Sequence, residues 1–142
     1  MAREFRFRNQ GYERPLAQIP PMRAAFPGFQ YKVTRQGGVR WTGRLRPTAE
    51  SPWYELAILH ELSGAPRVWV VSPALAPNPP HVYRSDGNRL CLYWPKEWSW
   101  TPATFLAATI VPWAALWLYY YEGWFVTGQW LGPSSPHGVG AK

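Results

Sequence analysis

The chain has 142 residues, enough for one domain with a real core and too few for two. Its single Cys excludes an internal disulfide and a Cys-based structural zinc site, and makes a reducing, cytoplasmic setting the expectation. The net charge is +7, and an apolar fraction of 46% with 17% aromatics excludes a disordered chain.

The charge is unevenly placed. Residues 1–50 carry ten Lys/Arg against three Glu, whereas residues 51–142 carry five of each sign. The whole excess therefore lies in the first third. A basic front end suits an acidic partner, nucleic acid, or a plain solvated surface. Phe5 to Arg8 alternates Phe and Arg, and residues 1–10 hold no apolar run, which argues against a secretory leader. Pro20-Pro21 predicts a short helix through Met22 and Ala25, closed by Pro27-Gly28.

Four strands follow in the pattern. Phe29, Tyr31 and Val33 alternate with Gln30, Lys32 and Thr34, and Gln36-Gly37-Gly38 is a hairpin signal. Val39, Trp41 and Leu45 alternate with Arg40, Thr42, Arg44 and Arg46. Pro47 to Pro52 reads as a loop. Trp53 to Leu62 predicts a third strand, with Tyr54, Leu56, Ile58, His60 and Leu62 on one face. His60 is expected to be a core histidine with its hydrogen bonds satisfied. Ser63 to Pro66 is a turn, and Arg67 to Val71 a fourth strand. Short turns make this an antiparallel meander with one face free for helices.

The chain then changes character. Ser72 to Trp100 is punctuated by Pro and Gly, has no sustained period, and contains Cys91. A loop of this length in a small domain is usually functional. Thr101-Pro102 predicts a helix start, with a helix running to about Thr109. Pro112 either kinks that helix or opens another, and Gly128 ends the set. Trp113, Trp117, Tyr120, Tyr121 and Trp124 fall at helical spacing as an aromatic stripe, read as core. Thr101 to Tyr121 carries no charge, but Pro112 and its threonines favour buried helices over a membrane span. Residues 1–130 are expected to form one domain and 131–142, with His137, a flexible tail.

The order of meander, Cys-bearing loop and helices resembles the ubiquitin-conjugating-enzyme fold, an α+β architecture. Those enzymes carry His-Pro-Asn, an Asp/Asn-Gly turn, the catalytic Cys followed by Leu, and then a Trp-Ser pair. Here the corresponding run is Pro79-Pro80-His81-Val82-Tyr83, Asp86-Gly87, Leu90-Cys91-Leu92 and Trp98-Ser99. His81 falls where the family has Asn. The C-terminal aromatic stretch, with Trp113, Trp117-Leu118, Trp124 and Trp130, looks like the compact bacterial relatives of short type II CBASS antiphage operons. That resemblance implies a thioester between Cys91 and the C-terminus of a cGAS-like nucleotidyltransferase, with onward transfer in antiviral defence.

In that reading Cys91 is the acyl carrier, because a thiolate attacks an activated carbonyl and later yields the acyl group to an amine. Arg84, Arg89 and Lys96 are close enough in sequence to favour the thiolate. His81 has three open roles: oxyanion donor, base toward the amine, or support for the loop backbone. Tyr83 and Asn88 are alternative donors. Trp98 is expected to pack over the Cys loop, with Ser99 or Thr101 capping the following helix. No cofactor or metal is expected, since three scattered His and one Cys have no ligand spacing. No phosphate-binding loop of the G-x-x-x-x-G-K type is present, so activation needs a separate enzyme or an already reactive acyl bond. Stable nucleic-acid binding by Lys32, Arg40, Arg44 and Arg46 is the less favoured use of the basic face. The second functional reading is a non-catalytic module that docks the synthase.

Overall fold

Alternation at every second residue drives the sheet. A computed structural model describes residues 15–133. The Phe-Arg alternation of residues 5–8, and His137, lie outside the described residues. Strands β1 (Gln30–Val33), β2 (Val39–Leu45), β3 (Tyr54–His60) and β4 (Arg67–Ser72) pair in the order β1-β2-β3-β4, all antiparallel. The register sets Val39 against His60, Trp41 against Ile58, and Ile58 against Val68. One face therefore carries Val39, Trp41, Tyr54, Leu56, Ile58 and Val68, all buried. This is the expected meander, and the alternation over 54–60 is complete.

The edge strand departs from its pattern. Tyr31 and Val33 share the inner face but remain exposed, while Phe29 turns in and is buried. Phe29 can do so because its ring lies directly over Gly43, where a Cβ would come within 2.4 Å. A side chain at 43 would expel the ring.

Helix α1 (Ile19–Ala25) starts with Pro at its first positions, where the missing N–H costs nothing, and buries Met22. Its anchor is Gln18, 1% exposed. The Gln18 amide donates to the Thr104 carbonyl at 2.8 Å, and its oxygen accepts from the Leu106 N–H at 2.8 Å.

That clamp explains a correction. The helix expected from Thr101-Pro102 to Thr109 does not form. A turn at Thr101–Thr104 and a 3-10 turn at Leu106–Ala108 stand there instead. The main-chain groups of Thr104 and Leu106 that a helix would use internally are committed to Gln18. Neither Ser99 nor Thr101 caps a helix. The Thr101 hydroxyl instead bonds the Thr104 hydroxyl at 2.9 Å.

The long helix α2 (Ile110–Thr127) begins after Thr109, so Pro112 falls in its first turn and opens it rather than kinking it. Gly128 ends it at φ 79°, its N–H bonded to the Trp124 carbonyl at 2.7 Å. Ile110, Val111, Ala114, Trp117, Leu118 and Tyr121 make the buried stripe against the sheet. Of the expected aromatic stripe, Trp117 and Tyr121 are in the core, stacked at 5.4 Å; Trp113, Tyr120 and Trp124 are half-buried beside it. No helix among the described residues is long and apolar enough to cross a membrane.

The segment from 72 to 100 is not wholly irregular. Strands β5 (Val82–Tyr83) and β6 (Arg89–Leu90) form a small antiparallel hairpin, with a 3-10 turn at Arg84–Asp86 between them. Gly87 and Asn88 both adopt φ 61°, the tight turn that Asp86-Gly87 signalled. The Trp69 indole on β4 donates to the Asp86 carbonyl at 2.8 Å and ties the hairpin to the sheet.

Candidate active site

Cys91 directly follows β6, and the hairpin fixes where it stands. Its N–H donates to the His81 carbonyl at 3.0 Å, just beyond the Val82–Leu90 pair. The Trp117 indole N–H on α2 donates to the same carbonyl at 3.0 Å. One oxygen thus ties the Cys strand, the preceding loop and the long helix together. Presenting it costs His81 a left-handed backbone, φ 55°, unusual for a residue with a Cβ. His81 is 4% exposed, and its ring lies 4.6 Å from the Trp130 ring.

His81 and Cys91 line one cavity of about 240 Å³. Its other walls are aromatic and aliphatic: Trp113, Leu116, Trp117 and Tyr120 from α2, and Trp130 and Pro133 beyond it. Cys91 is 8% exposed, and its Sγ lies 3.7 Å from the Tyr93 carbonyl.

Burial pushes the Cys91 thiol up, disfavouring the thiolate. Three groups oppose burial: a hydrogen bond from the Tyr83 hydroxyl, the charge of Arg89, and the Tyr93 main chain. The thiol stays above its ordinary value. The phenol of Tyr83 is pushed up to about 12, first by burial and then by the neighbouring Cys91. It therefore keeps its proton and can donate it to sulfur as a hydrogen bond. The Arg89 guanidinium sits 4.0 Å over the Tyr83 ring, and its Nε bonds Asp86 at 2.8 Å. Of the three cations expected to favour the thiolate, Arg89 is the one that acts on Cys91; Lys96 lies over Trp94 instead.

The other sequence candidates sort clearly. Asn88 occupies the left-handed turn of the hairpin. Trp98 packs edge-on to Tyr93 at 4.7 Å and to Trp113 at 4.8 Å, over the stretch that follows Cys91. Ser99 is exposed. His60 is buried, but its Nδ1 has no hydrogen-bond partner among the described residues, so it is not the satisfied histidine expected. No group of His, Cys, Asp or Glu among the described residues could hold a metal. Arg44 and Arg46 lie over the Trp53 ring at 5.0 and 4.4 Å, on the exposed side of the sheet. The sequence placed Trp130 in the aromatic stretch but not at the site; its place over His81 depends on the chain turning back after Gly128.

A family model for the type II CBASS E2 protein matches residues 18–138. The chain belongs to that family. The four-stranded antiparallel sheet with its helices is consistent with an E2-like α+β fold, and the match spans every side chain of the Cys91 cluster. No curated protein matches the chain.

Proposed function

We propose that this CBASS E2 protein is a Cys-dependent acyl transferase that forms a thioester with the C-terminus of a cGAS-like nucleotidyltransferase. The observation that carries this reading is the placement of the chain's one thiol in a cavity with His81, under a hydrogen bond from Tyr83. Cys91 loses its proton and its sulfur attacks the activated carbonyl. The leaving group departs with the electron pair of the broken bond, and the acyl group rests on sulfur. An amine then takes it, and the thiolate is restored. His81 supports the loop through its carbonyl, and in this reading its ring holds the oxyanion or takes the amine proton. Activation of the carbonyl comes from a separate enzyme or from an already reactive acyl bond.

The second reading, a non-catalytic module that docks the synthase, draws on the 8% exposure of Cys91. One experiment separates the two. The protein is mixed with the synthase, with and without an activating enzyme, and run on a non-reducing gel. Wild type gives a thiol-sensitive adduct, Cys91→Ala gives none, and Cys91→Ser gives a thiol-stable ester. A tight complex with no adduct, unchanged in Cys91→Ala, rejects transfer and leaves docking.

A further inference from the structure

The cover over Cys91 is built from two kinds of contact. The α2 side is fixed: the Trp117 N–H is spent on the His81 carbonyl, and its ring stacks on Tyr121. The other side is the short run that leaves the helix after Gly128. Trp130 lies on His81 at 4.6 Å, with Trp117 at 5.5 Å and Tyr120 at 5.9 Å around it. Gly132 presses against the Tyr120 ring so closely that a Cβ would stand 2.5 Å from it. Pro133 reaches the cavity that holds Cys91.

Among the described residues, this side is held at its centre by ring contact. The buried Trp130 indole N–H has no hydrogen-bond partner among the described residues, in contrast to the paired N–H of Trp117. A buried donor without an acceptor opposes the closed position, because lifting the ring returns that N–H to water. Leu131, between the two packed residues, is 71% exposed and adds little hold. Meanwhile Cys91 is 8% exposed, too shielded for a peptide carbonyl to reach sulfur while the cover is shut.

We infer that Trp130 to Pro133 is a strap that closes the Cys91 cavity, latched by the Trp130 ring on His81, and that it swings out to admit an acyl donor. Trp117 and α2 stay in place as the fixed wall. Access to a thiol is a property of the fold, whatever the thiol then does, so the strap stands independently of acyl transfer.

The single Cys makes the test direct: the rate of Cys91 alkylation by iodoacetamide in the full chain reads opening alone. Trp130→Ala removes the latch, and Gly132→Ala drives the strap off the Tyr120 ring. Each raises the alkylation rate roughly tenfold, because the open fraction sets the apparent rate. Trp130→Phe keeps a ring on His81 and stays near wild type. Stability is measured in parallel by urea unfolding. Unchanged rates in Trp130→Ala and Gly132→Ala overturn the strap. So does an acceleration that matches the loss of global stability, since that reads whole-chain unfolding. Neither result bears on the synthase adduct, and loss of the adduct would leave the strap untouched.

Discussion

Cys91 shows two opposed influences on one sulfur. Burial raises its pKa, while Tyr83, Arg89 and the Tyr93 main chain pull it back. The phenol is the strongest of the three, and it is itself oriented by Arg89 beneath the ring. Removing the hydroxyl therefore leaves burial less opposed. In Tyr83→Phe the ring and its Arg89 contact persist, and the thiol pKa rises further. The pH profile of iodoacetamide alkylation shifts to higher pH, with the plateau rate at high pH retained. A profile superimposable on wild type would show that Tyr83 does not touch the thiolate.

Loops here are organised by side chains from distant elements rather than by their own backbones. Gln18 holds Thr104 and Leu106 from 86 and 88 residues away, and Tyr121 accepts the Ala76 N–H at 2.8 Å from α2. Glu122 on α2 does the same for the β2–β3 connection, taking bonds from the Ser51 and Tyr54 hydroxyls, each at 2.8 Å. Burial first, and then the carboxylate, hold the Tyr54 phenol well above its ordinary range. Gln18 is the tightest case, because it is buried and both ends of its amide are used. Gln18→Ala orphans the buried Leu106 N–H as well as losing two bonds. The expected cost is about 2–3 kcal/mol in urea unfolding, with the slope of the transition unchanged. Gln18→Glu keeps an acceptor for Leu106 but turns an oxygen toward the Thr104 carbonyl, and it is destabilised as well. A change below about 0.5 kcal/mol in Gln18→Ala would show that the 101–108 segment holds itself.

What could be read in advance follows the range of the interactions. The sheet was legible because alternation over 39–45 and 54–60 is a local property. The Cys91 neighbourhood was legible because its motif residues, from Pro79 to Ser99, are close in sequence. The helix expected at 102–109 was wrong because its competitor, Gln18, lies at the other end of the chain. The place of Trp130 beside Cys91 was not legible for the same reason, since its partner His81 is 49 residues earlier and the link is one ring on another. His60 was placed correctly on the inner face, but alternation cannot say whether a ring nitrogen finds a partner. Among the described residues it does not: Nδ1 is unpaired and the Trp100 ring lies edge-on at 5.3 Å.

That histidine ties the stability of the whole chain to pH. Burial lowers its pKa to about 4, against 6.5 for an ordinary imidazole. The folded chain therefore refuses a proton that the unfolded chain accepts between those values. Above pH 6.5 both states are neutral at His60 and nothing is lost. As pH falls from 6.5 toward 4 the unfolded state gains the proton alone, and stability drops by roughly 3 kcal/mol. Below about 4 the folded state is protonated as well and the loss levels off. His60→Phe fills the same inner-face position with a ring that does not titrate. Its unfolding free energy at pH 7 shows the effect of the new packing, but its decline between pH 6.5 and 4 is shallower than wild type by that same roughly 3 kcal/mol. Equal slopes in the two proteins would mean that His60 accepts a proton in the folded state near its ordinary pKa, and that the Trp100 side of the site opens to let water reach it.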